Sequence, residues 1–458
     1  KEIGVVIVNT FSSRGKELIR LRVASSDLCA YNAQKMRVRQ QMTQIDSELY
    51  ELLFLMRIPR YSYTTVILHW CEGTEKDEST PKPVEGHALP GDAYTLEFDA
   101  NGHVTALVAN FDAIRFELEA ELALLTPSPT TPHTYVPHGL DPSDPLYINP
   151  YLKRLVPPTK SLSHSAVRDP IQSVLVQRFS DVAVVTTRVA KSIGVDKKMD
   201  SRGHLLEVSV TVKNYPTDAV LVAYYRFKDI QNRGKIHVNP TGHSTVVRES
   251  EPLPNDPAAD PTYLNRNVFA AGSFSFIQDE DLNPWKSNTA RVTAFFRTAR
   301  GVLTMENGSM VFPLHARGVL EDGEKAAWDL DATEQELSFL VQYANNGVFS
   351  VGEKLLASMN NKPAYFFYFN NTKENKDNKK LKLANTVLKF NLPAQIDVVT
   401  LERVDSVRRR FLLRLRNTAE YNDVFAMYDN EVTVDLTAIL NSMGLKMVEE
   451  VALFGESK

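Results

Sequence analysis

Short runs of apolar or alternating residues, each bounded by turn-forming residues, recur along the whole sequence. The opening stretch holds two of them, a β-branched run at 5–8 and an alternation of Ile19, Leu21 and Val23 with arginines. Side chains at a period of two share one face of a strand, and a continuous β-branched run is typical of a strand buried on both faces. The repetition of these runs restricts the chain to an all-β fold class.

The same patterns predict strands in the rest of the chain, at 52–58, 62–70, 94–108 (a hairpin with an Asn101-Gly102 turn), 174–179, 182–190, 205–212, 219–227, 273–277, 290–297 and 309–316. One segment, 331–346, has helical signals, because Thr333 and Glu336 are spaced as in a capping box. A chain of 458 residues is too long for a single core, so several domains are expected.

Composition and strand spacing predict three β domains. Residues 1–75 form a small β domain, 92–360 a large central two-sheet sandwich and 361–458 a C-terminal β domain. The segment 76–91 between the first two is polar and rich in proline and glycine, which predicts a linker or a long loop.

The charge distribution disfavours nucleic acid and the membrane interior as environments. The chain carries 52 basic and 56 acidic residues, a net charge of −4, whereas phosphate binding needs a basic face. No apolar run approaches the roughly 18–20 residues of a membrane span. Arginines stand at 408–410, 414 and 416, and Phe411, Leu413 and Leu415 alternate with Leu412, Arg414 and Arg416, which predicts a half-buried strand with a charged outer face.

Motifs for catalysis and metal binding are missing from the sequence. None of the ten histidines is followed two residues later by aspartate, and no His-Glu-x-x-His, Cys-x-x-Cys, dinucleotide-binding, phosphate-binding or Gly-x-Ser-x-Gly motif is present. Two pairs, His133 with His138 and His237 with His243, have zinc-compatible spacing but no cysteine or carboxylate nearby in sequence. We therefore predict no metal site in this chain.

The cysteines and the glycosylation sequons leave the compartment open. Cys29 and Cys71 fall in the same predicted domain and are either bridged or two buried free thiols. Sequons at Asn307 and Asn370 are possible glycosylation sites and permit a secreted or lumenal location.

Several segments, in order along the chain, resemble glycoside hydrolase family 38 α-mannosidases. They are VIVNTFSSRGKELIRLRV (6–23), ELLFLMRIPRYSYTTVIL (51–68), YTLEFDANGHVTAL (94–107), LYINPY (146–151), LLEVSVTV (205–212), NGSMVFPLHAR (307–317), FLLRLRN (411–417) and NEVTVDLTAIL (430–440). Each match is degenerate, and their common order carries the resemblance.

The resemblance implies that this chain is the C-terminal, non-catalytic β region of a retaining α-mannosidase that hydrolyses terminal α-mannosyl residues of glycans. The central sandwich would be galactose-mutarotase-like. The chain itself would bind no cofactor, because the family holds its catalytic zinc and carboxylates in the preceding domain, here an upstream region or a separate polypeptide partner. The location would be the lysosome or another endomembrane lumen, or the protein would be secreted.

One segment departs from the family pattern. Arg317 keeps one of two paired arginines, but Glu324-Lys325 stands where the family has Arg-Gly. Arg317 and Lys325 are the candidate substrate contacts, although lysine lacks the planar fork of arginine. Two alternatives follow, a catalytically inactive mannosidase-like scaffold and a glycan-binding protein that uses Tyr147, Tyr151 or Trp285.

Overall fold

The structure, a computed structural model, describes much of the chain. The described residues are 2–9, 15–32, 34–46, 49–58, 62–71, 82–84, 86–110, 114–126, 151–154, 164–168, 171–179, 182–190, 206–212, 219–240, 245–251, 266–280, 289–317, 334–344, 364–370, 384–386, 392, 396–405, 410–417 and 433–444.

Almost all regular structure in these residues is β-strand. The strands up to residue 126 are β1 Glu2–Asn9, β2 Gly15–Val23, β3 Leu28–Tyr31, β4 Gln40–Asp46, β5 Leu49–Ile58, β6 Ser62–Trp70, β7 Lys82–Pro83, β8 Ala88–Pro90, β9 Tyr94–Phe98, β10 Val104–Ala109 and β11 Ile114–Thr126. The next are β12 Tyr151–Arg154, β13 His164–Arg168, β14 Gln172–Phe179, β15 Ala183–Ala190, β16 Leu206–Val212, β17 Ala219–Phe227, β18 Lys235–Val238, β19 Val246–Glu249, β20 Phe269–Ala271, β21 Phe274–Gln278 and β22 Thr289–Phe296. The last are β23 Arg300–Val302, β24 Ser309–Arg317, β25 Glu334–Ala344, β26 Ala364–Asn370, β27 Ala384–Thr386, β28 Ile396–Asp405 and β29 Arg410–Asn417, and one helix follows, α1 Leu436–Met443.

The chain divides into two compact units. The first comprises Lys1–Thr80, Ile193–Ser201 and Phe349–Lys458, and the second comprises Pro81–Ser192 and Arg202–Val348. The predicted all-β, multi-domain sandwich class is confirmed. None of the described helices is long and apolar enough to cross a membrane.

The second unit is a large two-sheet sandwich. Its seven-stranded sheet has the order β24-β17-β11-β10-β9-β8, with β12 beside β11, and its ten-stranded sheet has the order β19-β18-β21-β22-β25-β16-β15-β14-β13-β7. Alternate residues of both sheets form one core, for example Phe116 and Phe227 on the first and Val208 and Phe339 on the second. The predicted hairpin is present as β9 and β10, and Gly102 of its turn has a φ of 83°.

Tyr94 links the two sheets through the backbone of Val341. Its hydroxyl donates to the Val341 carbonyl oxygen at 2.9 Å and accepts from the Val341 N–H at 2.9 Å. The described part of β16 begins at Leu206, which lies opposite Phe339 of β25. Two residues further along β25, the Tyr94 hydroxyl is the hydrogen-bond partner of the Val341 backbone. Tyr94 is buried, and burial raises the pKa of its phenol.

The first unit contains a five-stranded sheet, β26-β1-β6-β27 with β3 beside β6, and a three-stranded sheet, β2-β5-β4. The two sheets share a core that includes Val5, Ile7, Leu52 and Phe54. β1 and β2, the two predicted strands of the opening stretch, therefore belong to different sheets rather than to one hairpin.

The C-terminal part of the first unit has a β28–β29 ribbon and α1. The helix begins after Asp435, whose side chain accepts from the Thr437 N–H, and ends at Gly444 in the left-handed conformation. Ile439 of the helix packs with Leu392 and Ile396 in a small core.

Two segments differ from the sequence-based expectations. The predicted helix at 331–346 is wrong, because Glu334–Ala344 is a strand in the middle of the ten-stranded sheet, paired with β16 and β22. Its buried residues Leu337, Phe339 and Val341 follow a period of two, and pairing on both edges overrides the helical signals. Within 76–91, expected to be a linker or loop, the structure has the short strands Lys82–Pro83 and Ala88–Pro90.

Candidate functional site

The cluster of titratable groups with the most evident chemistry lies on the outer face of the ten-stranded sheet. On β18, Ile236 and Val238 point into the core, so the alternation places Lys235 and His237 on the opposite face. Glu280 follows the end of β21 and reaches the same face. We call Lys235, His237 and Glu280 the β18 cluster.

Hydrogen bonds and ring contacts hold the β18 cluster together. His237 Nε2 lies 3.3 Å from Glu280 Oε1, and Lys235 Nζ donates to Glu280 Oε2 at 3.4 Å. The His237 ring stacks on Phe276 with centroids 4.2 Å apart, and the Arg291 guanidinium lies 3.8 Å from the centroid of the same ring. The His237 and Glu280 side chains are each only 13% exposed.

The electrostatics of the β18 cluster favour a neutral histidine. Burial lowers the pKa of His237, although its hydrogen bond to the Glu280 carboxylate acts in the opposite direction. A neutral imidazole beside a carboxylate can exchange a proton, but the pair supplies only two metal ligands. No group of three potential ligands occurs among the residues that the structure describes.

The Asn307 sequon lies in a tight turn between β23 and β24, and its polar side chains are engaged. Asn307 Nδ2 donates to Gln231 Oε1 at 2.9 Å, and its Oδ1 accepts from the Arg233 N–H at 2.9 Å. Ser309 Oγ, which is buried, accepts from the N–H groups of residues 305 and 306 at 2.9 and 3.0 Å. Gly308 has a φ of 77°, and a Cβ there would lie 2.0 Å from the Phe227 carbonyl oxygen. In the folded turn, both polar atoms of the Asn307 side-chain amide are therefore already hydrogen-bonded within the chain.

A row of alternating charges lies on part of the outer face of the seven-stranded sheet, on β11, β17 and the turn before β24. Arg226 lies 3.0 Å from Glu306 and 3.8 Å from Glu119, and Lys228 lies 2.9 Å from Glu119. The Tyr224 hydroxyl also donates to Glu306. The Glu119 carboxylate raises the pKa of Lys228. Because each charge has a neighbour of opposite sign, this row is self-complementary.

Arg317 and Lys325, the predicted substrate contacts, are not brought together in the described structure. Arg317 is the last residue of β24, and its backbone lies opposite Ala219. Its side chain lies outside the described residues, as does all of Lys325. Their role therefore stays a prediction.

Other candidate residues are placed only in part. Asn370 ends β26 opposite Glu2, but its side chain lies outside the described residues. The Tyr151 side chain also lies outside the described residues, and so do all of His133, His138, His243, Tyr147 and Trp285.

Cys29 and Cys71 are joined by a disulfide with their Cα atoms 5.2 Å apart. The bridge fastens β3, where Cys29 lies opposite His69, to the end of β6. Of the two alternatives left open by the sequence, the structure has the bridge.

Sequence reasoning missed the pairing of His237 with Glu280. The partner carboxylate is not near His237 in sequence but 43 residues away. The available signal was the alternation at 235–238, which places a lysine and a histidine together on the polar face of a strand.

This chain is similar to known proteins in its structure, whereas the comparisons of its sequence give no match. No protein-family profile matches the sequence, and no curated protein matches it. An alpha-mannosidase from Enterococcus faecalis V583 has a similar structure, with a TM-score of 0.55 and 10% identity, over 90% of this chain and 50% of that chain. A protein in the glycosyl hydrolase family 38 from Enterococcus faecalis matches with a TM-score of 0.53 and 10% identity, over 90% of this chain and 52% of that chain.

The chain thus spans about half the length of the solved structures that it matches. At this sequence identity the likeness is one of fold. Over most of its length, the chain shares the β-rich fold of about half of an α-mannosidase.

Proposed function

We propose that this chain is the β-rich, non-catalytic region of a retaining α-mannosidase of the family 38 type, which hydrolyses terminal α-mannosyl residues of glycans. The observation that carries the proposal is the extent of the fold likeness, 90% of this chain against half of an alpha-mannosidase. The colinear sequence segments support it independently, because that resemblance lies in the residues and not in the fold. Fold likeness by itself is a weak warrant for activity, so the proposal depends on both.

The proposal assigns the catalytic zinc and carboxylates to a partner domain or polypeptide. The described residues of this chain do not fit a zinc site, because they contain no group of three potential ligands. We therefore derive no catalytic step through zinc on this chain. Its proposed contribution is a scaffold, with Arg317 and Lys325 as candidate contacts to the sugar.

An oxidising compartment is part of the proposal, namely the lysosome, another endomembrane lumen or the exterior of the cell. The Cys29–Cys71 bridge supports it, because disulfides persist in such compartments and are rare in the cytosol.

Reconstitution with the upstream polypeptide tests the proposal. The complex is expected to hydrolyse 4-nitrophenyl α-mannoside and to contain zinc, and a chelator should abolish the hydrolysis. This chain alone, the upstream polypeptide alone and an aryl α-galactoside are the controls. A complex that contains zinc but lacks activity on α-mannosides would refute the proposed substrate.

A catalytically inactive mannosidase-like scaffold is the second candidate. The Glu324-Lys325 pair, which stands in place of the family's Arg-Gly, favours it. An upstream reading frame without a His-x-Asp motif would support this candidate, and a reconstituted complex active on α-mannosides would exclude it.

A further inference from the structure

A small cavity lies between the two sheets of the sandwich in the second unit. Its walls are mainly apolar side chains of the core, among them Leu96, Leu118, Phe179 and Val208. The cavity has room for the centre of a water molecule over about 20 Å³. On the same scale a single bound water needs about 10–15 Å³, so the space suits one water molecule and no larger ligand.

Three polar side chains also line this cavity, those of Gln177, Thr187 and Tyr225. Strand alternation directs all three into the sandwich, because each stands two residues from core residues of its own strand. Thr187, for example, lies between Val185 and Val189 in this alternation, and both valines belong to the core. All three polar residues are buried.

The strand register brings these three side chains to the same place. Gln177 of β14 lies opposite Val185 of β15, and Thr187 is two residues further along β15. Gln177 and Thr187 are therefore diagonal neighbours on one face of the ten-stranded sheet. Tyr225 of β17 belongs to the seven-stranded sheet and reaches the cavity from the opposite side.

Each of the three side chains has hydrogen-bonding capacity that the described part of the chain leaves unused. Gln177 Nε2 donates to the Gly102 carbonyl oxygen at 2.7 Å, which leaves Gln177 Oε1 as an acceptor. The hydroxyls of Thr187 and Tyr225 have no hydrogen-bond partner among the described residues. Burial raises the pKa of the Tyr225 phenol, so it stays protonated and is a donor. Buried polar groups in native proteins nearly always have a partner, which at this place the cavity can hold.

We propose that Gln177, Thr187 and Tyr225 together bind one water molecule, which bridges the two sheets of the sandwich. The Tyr225 hydroxyl donates to the water, the water donates to Gln177 Oε1, and the Thr187 hydroxyl forms a third hydrogen bond as donor or acceptor. A buried water typically makes about three hydrogen bonds, and these partners supply them. The inference does not depend on the proposed mannosidase function.

A cation is a less suitable occupant than water. The three polar side chains are neutral, so the charge of a desolvated cation would stay unpaired. Glu121 also borders the cavity, but on β11 it has the same parity as Glu119, whose side chain lies on the outer face of the sheet beside Lys228.

Oxygen-17 magnetic relaxation dispersion tests the proposal on the whole chain, because it counts the water molecules that stay bound long enough to tumble with the protein. Thr187→Val combined with Tyr225→Phe removes two of the three partners and nearly keeps the shape of both side chains. A buried water needs at least two polar partners, so this double variant should contain one long-lived water fewer than the wild type. Tyr225→Phe alone leaves two partners and should keep the water.

Thr293→Val is the matched control. Thr293 is a buried threonine on the other face of the same sheet, since its neighbours Val292 and Ala294 point into the core. This variant should keep the wild-type number of long-lived waters. Should the double variant fail to fold, Thr187→Ile takes its place, because it removes the same hydroxyl and its additional methyl group fills the cavity. The proposal is overturned if the available cavity variant holds as many long-lived waters as the wild type, or if Thr293→Val loses a water as the cavity variant does.

Discussion

Replacing Tyr94 with phenylalanine removes one oxygen atom and leaves two backbone groups without a partner. The hydroxyl serves both the N–H and the carbonyl oxygen of Val341, each at 2.9 Å. Both residues are buried, so these groups lose their hydrogen bonds inside the sandwich core.

The expected cost follows from these contacts. A buried backbone group left unpaired costs about 1–3 kcal/mol, and Tyr94→Phe leaves two such groups unpaired, the N–H and the carbonyl oxygen of Val341. The variant no longer buries a hydroxyl, which offsets part of the loss. We therefore expect Tyr94→Phe to lower the free energy of unfolding by about 2–4 kcal/mol, a large share of the stability of a typical domain.

Tyr225→Phe is the matched control. Tyr225 is buried in the same core and packs on Phe339 with ring centroids 4.5 Å apart. No hydrogen bond to its hydroxyl is found in the described part of the chain, and burial raises the pKa of the phenol. Deleting this hydroxyl should change the free energy of unfolding by less than about 0.5 kcal/mol.

Urea unfolding measures the two free energies, and hydrogen exchange of a peptide that covers β25 reports on Val341 directly. Tyr94→Phe should accelerate exchange in that peptide, whereas Tyr225→Phe should not. The reasoning is refuted if Tyr94→Phe costs no more than Tyr225→Phe and leaves exchange in β25 unchanged.

Three further predictions concern titration, the disulfide and one glycine. Because burial lowers the pKa of His237, the unfolded chain takes up its proton first, so wild-type stability should fall relative to His237→Gln as the pH drops below about 6.5; urea unfolding between pH 5 and 8 measures this. Cys29→Ala with Cys71→Ala opens a bridge with a sequence separation of 42, which should cost about 4 kcal/mol on the loop-entropy estimate, measured by urea unfolding of the first unit. Gly308→Ala should cost about 2 kcal/mol or more in thermal unfolding, because its Cβ would clash with the Phe227 carbonyl oxygen at a φ of 77°.

Each of these predictions has a contrary outcome. An unchanged pH dependence in His237→Gln would show that His237 does not titrate differently in the folded chain. For the bridge, equal stability of the wild type with and without reductant would contradict the estimate. Gly444→Ala is the control for Gly308→Ala, because Gly444 has a φ of 67° but nothing within 4 Å of a Cβ. If both alanine variants cost the same, the clash contributes nothing.

The fold class was predictable because strand periodicity is a local property. The Asn101-Gly102 hairpin, for example, is confirmed in its strands and in its turn. The segment 331–346 was not, because its structure is decided by β16 and β22, which are distant in sequence. The helix α1 was missed although Asp435 and Gly444 are standard cap residues, since the alternating Val432 and Val434 before it favour a strand.

The sites were less predictable than the fold, because their partners meet only in three dimensions. Nothing near His237 in sequence indicates its partner Glu280, which follows the end of β21 and lies 43 residues away.

During synthesis on a ribosome, β1 acquires one neighbour long before the other. β6 ends at Trp70 and β26 begins at Ala364, so at about 5–20 residues per second their appearance is separated by roughly 15–60 s. Throughout that interval one edge of β1 has no strand beside it, and a free edge can pair with another nascent chain. We expect the first unit to need a chaperone on this edge until β26 emerges, whereas the strands of the second unit are complete by Ala344.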